Sequence, residues 1–308
     1  MKYSIIFPVF NEEKTIETVW QRTKGVLDKL SSDYEIIFVN DGSHDTTQEL
    51  LKDLHTKDKR VKVISFSRNF GHQVAVTAGI NFASGEAVAI LDADLQDPPE
   101  VLPQFFKKLA EGYDVVYAVR TKRKENALKR FAYSLSYRIL HKVANIDIPV
   151  DAGDFCVMSS RAIKALNSMP ERNRFVRGLR SWIGFKQIGL EYEREARYAG
   201  ESKYDFRRLM KLAFDGIFSF SFVPLQFMFY VGFISLLLSI VGVLGAIYLR
   251  FFTTAYKQVP GFATTIILVM FIGGLQLFSM GVLGEYMRRI YEESKQRPQY
   301  IIESKMGL

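Results

Sequence analysis

Asp92-Ala93-Asp94 sets two carboxylates one residue apart, and the Gln96 amide follows close behind. The apolar run Ala87-Val-Ala-Ile-Leu91 precedes them and Asp97-Pro98-Pro99-Glu100 follows. The run reads as a strand. Strand side chains alternate between faces, so Asp92 and Asp94 share one face while Ala93 turns away. Two hard oxygen donors on one face, with Gln96 beside them, suit a divalent cation such as Mg²⁺ or Mn²⁺. Such an ion keeps some water and takes its other ligands from a substrate's phosphates. Acidic triplets also occur in solvated turns, but the strand in front and the Pro-Pro stop behind favour the cation reading.

Something must hold these carboxylates against a substrate. Tyr3–Pro8, Tyr34–Asn40, Val61–Ser65, Ala87–Leu91 and Asp114–Val119 are short β-rich runs. Helical stretches near Glu12–Leu30, Thr46–His55, His72–Ala83 and Glu100–Glu111 separate them. This alternation predicts an α/β fold, a mostly parallel sheet with helices on both faces, whose ligands bind beyond the carboxyl ends of the strands. Pro8-Val9-Phe10-Asn11-Glu12 and Asn40-Asp41-Gly42-Ser43 end the first two strands, on the edge where Asp92 and Asp94 end the fourth. Each has a plainer reading, a turn with Asp45 as helix cap or an acidic helix start. Together on one edge they predict a nucleotide site. No Gly-x-Gly-x-x-Gly follows the first strand and no Gly-Lys-Ser/Thr occurs, which removes support from dinucleotide and P-loop readings.

The 308 residues allow one large α/β domain and an accessory region. No charged side chain lies between Gly216 and Leu249, or between Val259 and Gly284. Both stretches exceed the ~20 apolar residues that span a bilayer, predicting transmembrane helices at 225–249 and 262–284. Arg207, Arg208 and Lys211 before them and Arg288, Arg289, Lys295 and Arg297 after them place both termini in the cytoplasm by the positive-inside rule. The start Met1-Lys-Tyr-Ser leads into a strand and does not read as a signal peptide. A lone Cys156 fits a reducing compartment and a small buried site. The net charge of +8 is then better matched to an anionic membrane surface than to nucleic acid, and no nucleic-acid partner is expected.

Taken together, these motifs resemble family 2 glycosyltransferases of the GT-A fold. The match extends to Ser67-Arg-Asn-Phe-Gly-His72-Gln73, Asp151-Ala-Gly-Asp154-Phe155, Arg174-Phe-Val-Arg177-Gly178 and Ala199-Gly-Glu-Ser-Lys203-Tyr204. With the two spans it is similar to the polyprenyl-phosphate glycosyltransferases, which include dolichol-phosphate mannose synthases and bacterial undecaprenyl-phosphate glucosyltransferases. The resemblance implies that Pro8, Phe10, Glu12, Asp41, Ser43, Asp92 and Ala93 contact the nucleotide, with Asp41 reading the base edge. It implies Asp94 and Gln96 on a metal at the diphosphate, Asp154 beside the reacting centre, and Arg120, Arg130, Ser134, Arg177 and Lys203 towards an acceptor phosphate. Arg177-Gly-Leu-Arg180-Ser-Trp182 lacks the glutamine of the Gln-x-x-Arg-Trp motif of processive synthases, which argues against a polymerising enzyme.

The implied reaction moves a sugar, glucose from UDP-glucose being favoured, to a polyprenyl phosphate with inversion, giving a β-linked product for envelope or O-antigen glycosylation. A polyprenyl-phosphate mannose or amino-sugar synthase is the alternative, and a non-catalytic nucleotide-binding scaffold another. Asp154 is expected to position acceptor or sugar and take any residual proton. Apolar positions at helical spacing in 126–143 and 203–218, flanked by basic residues, fit interfacial helices. The expected organisation is a cytoplasmic catalytic domain (1–202), an amphipathic juxtamembrane helix (203–224), two spans (225–284) and a cytoplasmic tail (285–308), in a bacterial cytoplasmic membrane. Small residues at Ser235/Ser239 and Gly242/Ala246 permit close span packing, so a homo-oligomer, a tetramer, joins donor, lipid acceptor and membrane lipids as expected partners.

Overall fold

Branched and aromatic side chains pack well on a pleated surface, and they make up most of the first two strands. β1 (Tyr3–Val9) and β2 (Tyr34–Asn40) are buried on both faces, as strands covered by helices on each side must be. The computed structural model describes residues 1–121, 152–172, 174–193, 218, 221–252 and 261–308. The remaining strands are β3 (Val61–Phe66), β4 (Ala87–Ile90), β5 (Val115–Thr121), β6 (Ala152–Ser159), β7 (Gln187–Glu193) and β8 (Ile302–Met306). They form one sheet in the order β7-β5-β6-β4-β1-β2-β3-β8.

The expected parallel order holds at the centre, where β4, β1, β2 and β3 run together. Both flanks are mixed. β6 lies antiparallel between β4 and β5, β7 runs parallel to β5, and β8 closes the far edge antiparallel to β3. The sequence reading had no place for β6, β7 or β8. Their neighbours are distant in the chain, and that information is absent from local periodicity.

Helices α1 (Ile16–Leu27), α2 (Thr47–Lys57), α3 (His72–Phe82) and α4 (Leu102–Ala110) connect the parallel strands, with a short 3-10 turn at Pro99–Val101. α1 buries Ile16, Val19, Thr23 and Leu27, a stripe at helical spacing. α3 is buried on most sides, and Gly79 is the reason it fits: a Cβ there would come within 2.2 Å of the Ile6 methyl. α4 presents Leu102, Phe105 and Phe106 to the sheet. Two shorter helices follow β6, α5 (Ser160–Asn167) and α6 (Val176–Trp182).

The chain divides into two compact units, Met1–Lys211 with Arg297–Leu308, and Leu212–Gln296. The first unit therefore includes the C-terminal residues, which supply β8. The second contains α7 (Val223–Phe252) and α8 (Gly261–Ser294), each long and apolar enough to cross a membrane. Their side chains are outward and exposed, Phe229 at 69% and Met270 at 72%, unlike those of a soluble core helix. Within this unit Ser279 Oγ donates to Met228 Sδ at 3.1 Å and Tyr286 Oη to the Ser221 carbonyl at 2.7 Å. Beyond Gly284, α8 continues through a charged turn in which Arg288 pairs with Glu285 and Glu292. The interfacial helix expected at 126–143 lies outside the described residues, as does 203–217 of the second.

Candidate active site

β1 and β2 end together, and their turns are stitched to each other. Asn11, at φ +54°, accepts from the His44 amide at 2.9 Å through Oδ1, while its own amide donates to Ser43 Oγ at 2.9 Å. Asn40 Oδ1 caps the same turn by accepting from the Ser43 amide. The Glu12 amide donates to Thr47 Oγ1, and Thr15 Oγ1 donates to the Glu12 carboxylate at 2.9 Å. Asp45, read as a helix N-cap, stands one residue earlier: the N-cap is Thr46, and Asp45 accepts from the Thr47 amide at 3.1 Å. Pro8 is buried at the end of β1 and Phe10 is half-buried, edge-on to His44.

Asp41 is buried, and both its oxygens meet backbone amides of the loop after β3. Oδ1 accepts from Phe70 at 2.6 Å and Oδ2 from Gly71 at 2.9 Å. Burial pushes its pKa up, and the two amides oppose that rise. Carboxylate oxygens have further lone pairs, so one more N–H can be accepted at this edge. Gly42 beside it has φ +67°, and a Cβ there would lie 2.5 Å from the Arg68 carbonyl carbon. Gly42→Ala is therefore expected to lower unfolding free energy by ~2 kcal/mol or more, from left-handed strain and backbone overlap. A thermal melt checks this, and a wild-type melt would refute the overlap.

β4 ends at Ile90, with one further bond from the Leu91 amide to the Ile6 carbonyl at 3.0 Å, but the alternation expected of Asp92 and Asp94 persists beyond it. Leu91, Ala93 and Leu95 are buried, whereas Asp92, Asp94 and Gln96 are half-buried. Leu95 at φ +59° tightens the turn, so that the Gln96 amide donates to Asp94 Oδ1 at 3.1 Å. Among the described residues no cluster of three or more His, Cys, Asp or Glu could cage a metal by itself. Asp94 with the Gln96 amide is a sparse, all-oxygen donor set, which fits a hard cation completed by phosphate and water. Ala93, being buried, offers a ligand only its backbone.

β6 enters the site from the opposite direction and carries Asp154. Arg177 at the start of α6 donates to it through Nε at 2.9 Å and Nη2 at 3.4 Å, and Gln73 Nε2 adds a contact at 3.4 Å. Gln73 Oε1 in turn accepts from the Val176 amide at 3.0 Å, so α3 and α6 are pinned together beside the carboxylate. His72 stands between the two sides of the cleft, its Nε2 3.6 Å from Asp92 Oδ1 and 3.5 Å from Asp154 Oδ2. Burial works against the Asp154 charge, yet Arg177 and His72 outweigh it and hold the carboxyl well below the usual range. Asp92 is pushed up by burial, opposed by His72 and helped by the charges of Asp97, Asp154 and Asp94.

Burial also opposes charge on His72, but the Asp154 hydrogen bond and the Asp92 charge raise its pKa to about 9. The ring is surrounded by protein in a cleft that solvent still reaches, its side chain 43% exposed. A raised folded pKa stabilises fully below the unfolded value near ~6.5 and is lost as pH climbs through the folded one. Stability of the ligand-free protein is thus expected to decline between pH ~6.5 and about 9, and His72→Asn should flatten that slope. Melting curves across this window read the effect; parallel slopes would refute it.

Residues 4–166 match Glycosyl transferase family 2. The chain is 46% identical to the "Uncharacterized glycosyltransferase YkcC" of Bacillus subtilis, over 100% of this chain and 95% of that protein. It is 39% identical to the "Bactoprenol glucosyl transferase" of Shigella phage SfV, over 99% of each. A "Prophage bactoprenol glucosyl transferase homolog" of Escherichia coli is 38% identical, over 98% of this chain and 99% of that one. The chain belongs to glycosyl transferase family 2. Its mixed sheet between helical layers is the GT-A fold of that family.

Within this family member, the described part of the site gathers Pro8, Phe10, Glu12, Asp41, Ser43, Asp92, Ala93, Asp94 and Gln96 at one sheet edge, and Asp154 with Arg177 across from them. Arg177, expected towards an acceptor phosphate, is bound to Asp154. Arg120 lies in β5, paired in register with Tyr192; Arg130, Ser134 and Lys203 fall outside the described residues. Sequence reasoning gave no role to His72, Gln73 or Arg180. All three sit in motifs it noted, but the partners of His72 and Gln73 (Asp92, Asp154 and Val176) lie far along the chain. Arg180 is only 1% exposed, donates to the Gly153 carbonyl at 3.5 Å and lies over the Tyr117 ring, directly behind Asp154.

Proposed function

We propose that the chain transfers glucose from UDP-glucose to a polyprenyl phosphate at a membrane, with inversion, on the cytoplasmic side of a bacterial cytoplasmic membrane that α7 and α8 cross. The observation that carries this reading is full-length identity of 38–39% to proteins named bactoprenol glucosyl transferase, in a chain with two exposed apolar helices. The strand-edge carboxylates supply a matching chemistry. Asp41 accepts an N–H of the base. Asp94 and Gln96 hold a divalent cation, Mg²⁺ or Mn²⁺, and when bound it supplies Lewis-acid stabilisation of the departing diphosphate.

The acceptor is a phosphate monoester whose second pKa is near ~6, so it is largely ionised before it reacts and needs little help from a base. Its oxygen attacks the anomeric carbon as the bond to the diphosphate breaks, and the electron pair leaves with UDP. In-line attack turns an α-linked donor into a β-linked product. Asp154, held ionised by Arg177 and His72, is a poor proton acceptor. In this reading it orients the Arg177 guanidinium, which meets the acceptor's charge as guanidinium meets phosphate elsewhere. Residues Arg120, Arg130, Ser134 and Lys203 complete the acceptor side.

The test is incubation of the purified full chain with Mg²⁺, undecaprenyl phosphate and, separately, labelled UDP-glucose, UDP-galactose, UDP-N-acetylglucosamine or GDP-mannose. Labelled lipid from UDP-glucose is expected. Labelled lipid from another donor alone would move the assignment to that sugar, and no product from any donor would sink the enzymatic reading in favour of a nucleotide-binding scaffold. Small residues at Ser235/Ser239 and Gly242/Ala246 suit a homo-oligomer of the spans; cross-linking in membranes that yields monomer only would remove it.

A further inference from the structure

The C-terminal residues do more than end the chain. β8 covers what would otherwise be the open edge of β3, in the register Val63↔Met306, Ile64↔Lys305, Ser65↔Ser304 and Phe66↔Ile302, with a bulge at Ser65/Phe66. Open edges expose unpaired backbone, and bulges re-aim side chains at such places. Pairing extends one step beyond the strand, where the Ser67 amide donates to the Ile301 carbonyl at 3.1 Å. Tyr300 stands two residues before β8. Its ring stacks on Phe66 with centroids 5.0 Å apart, and its hydroxyl accepts from Asn81 Nδ2 at 3.1 Å.

Phe66 passes this support on. It meets Phe70 edge-to-face at 5.7 Å, and Phe70 carries the Arg68 guanidinium on its ring at 4.1 Å. The Phe70 and Gly71 amides are the two that hold Asp41, and His72 comes next in the chain. Gln299 Nε2 donates to the Glu171 carbonyl at 2.7 Å, in the loop that leads to Arg177. A cavity of about 350 Å³ lies between Glu303 and Ser304 on one side and Asn40, Gly42 and Ser43 on the other. The strand thus backs the Ser67–His72 loop and not the Asn40–Ser43 turn.

We infer that Tyr300, six residues after the last residue of α8, is a positioning residue for the donor site: through Phe66 and Phe70 it sets the two amides that aim Asp41. The donor half of the site is then complete only when the chain beyond the second apolar helix has docked. The inference rests on the reading of Asp41 as a nucleotide contact.

The test uses the full chain in detergent micelles or nanodiscs. Tyr300→Ala is expected to raise KM for UDP-glucose by about tenfold with kcat within about threefold, since the stack is lost while Asp94, Asp154 and Arg177 stay in place. Tyr300→Phe keeps the ring and should stay within about twofold of wild type on both. Hydrogen exchange gives a readout that needs no substrate: the Phe70 and Gly71 amides should exchange faster in Tyr300→Ala, while those of β1 and β2 do not change. Unchanged exchange at Phe70 and Gly71, or a fall in kcat with KM unmoved, would overturn the positioning role. Faster exchange across the whole sheet would also overturn it, by showing a general loss of fold. Wild-type protein that binds no nucleotide would instead refute the donor reading, with the exchange experiment still deciding whether Tyr300 sets the loop.

Discussion

Asp94→Ala is expected to lower glycosyl transfer by ~10³-fold while the protein remains folded. The size follows from the chemistry assigned to the carboxylate. A cation at the diphosphate contributes several kcal/mol of charge stabilisation, and each ~1.4 kcal/mol is worth tenfold in rate. The fold should tolerate the change because Asp94 lies past the end of β4, half-buried, with Gln96 as a hydrogen-bond partner two residues on. Loss of such a side chain costs little, usually within ~1 kcal/mol. The measurement is transfer rate against Mg²⁺ concentration beside a thermal melt. Full activity with an unchanged metal dependence would remove Asp94 from the metal.

Asp154→Asn should cost both stability and activity, and the two losses have one cause. The carboxylate is 15% exposed beside an Arg177 guanidinium that is 18% exposed, with His72 as a second partner. Removing one member of a fully buried ion pair leaves the other uncompensated, at a cost of ~3–5 kcal/mol; partial exposure and the retained amide oxygen of asparagine should bring the loss to the lower end or below. Turnover should fall by ~10²-fold or more as Arg177 loses its orientation, because small misplacement of a positioning group is enough for that. A double-mutant cycle with Arg177→Met separates this from a proton-transfer role. A coupled pair is strongly non-additive, the double variant being little worse than Asp154→Asn alone. The pH profile separates the roles too. A carboxyl held well below the usual range does not titrate near neutrality, so the acid limb of Asp154→Asn should match wild type. His72, which Asp154 helps to raise to about 9, should titrate lower in the variant, confining any change to the alkaline limb. Loss of an acid limb in the variant would restore Asp154 as a base.

Much of the donor half was legible in the primary structure. Pro8 to Glu12, Asn40 to Ser43 and Asp92 to Gln96 each follow an apolar β-rich run, and strand alternation by itself assigns Asp92 and Asp94 to one face. The half-buried carboxylates between buried Leu91, Ala93 and Leu95 carry that alternation past the last strand hydrogen bond. The reacting half was less legible. Asp154 and Arg177 stood out only through resemblance, and nothing local in either segment says that they bind each other. His72 is the plainest case, a histidine at a helix start whose two carboxylate partners are twenty and eighty-two residues further along the chain.

Local pattern alone established the alternating α/β order, the acidic strand end suited to a cation, and two uncharged stretches long enough for a bilayer, because period and length are properties of neighbouring residues. Only the tertiary structure decided that β6 enters antiparallel and brings Asp154 to Asp92, that Arg177 faces Asp154, and that residues after the last apolar helix return as β8 to back the loop holding Asp41. Each of these is a contact between segments remote in the chain. Such contacts are chosen by which edges remain unpaired and which charges remain buried once the sheet has formed, a competition that no single segment contains.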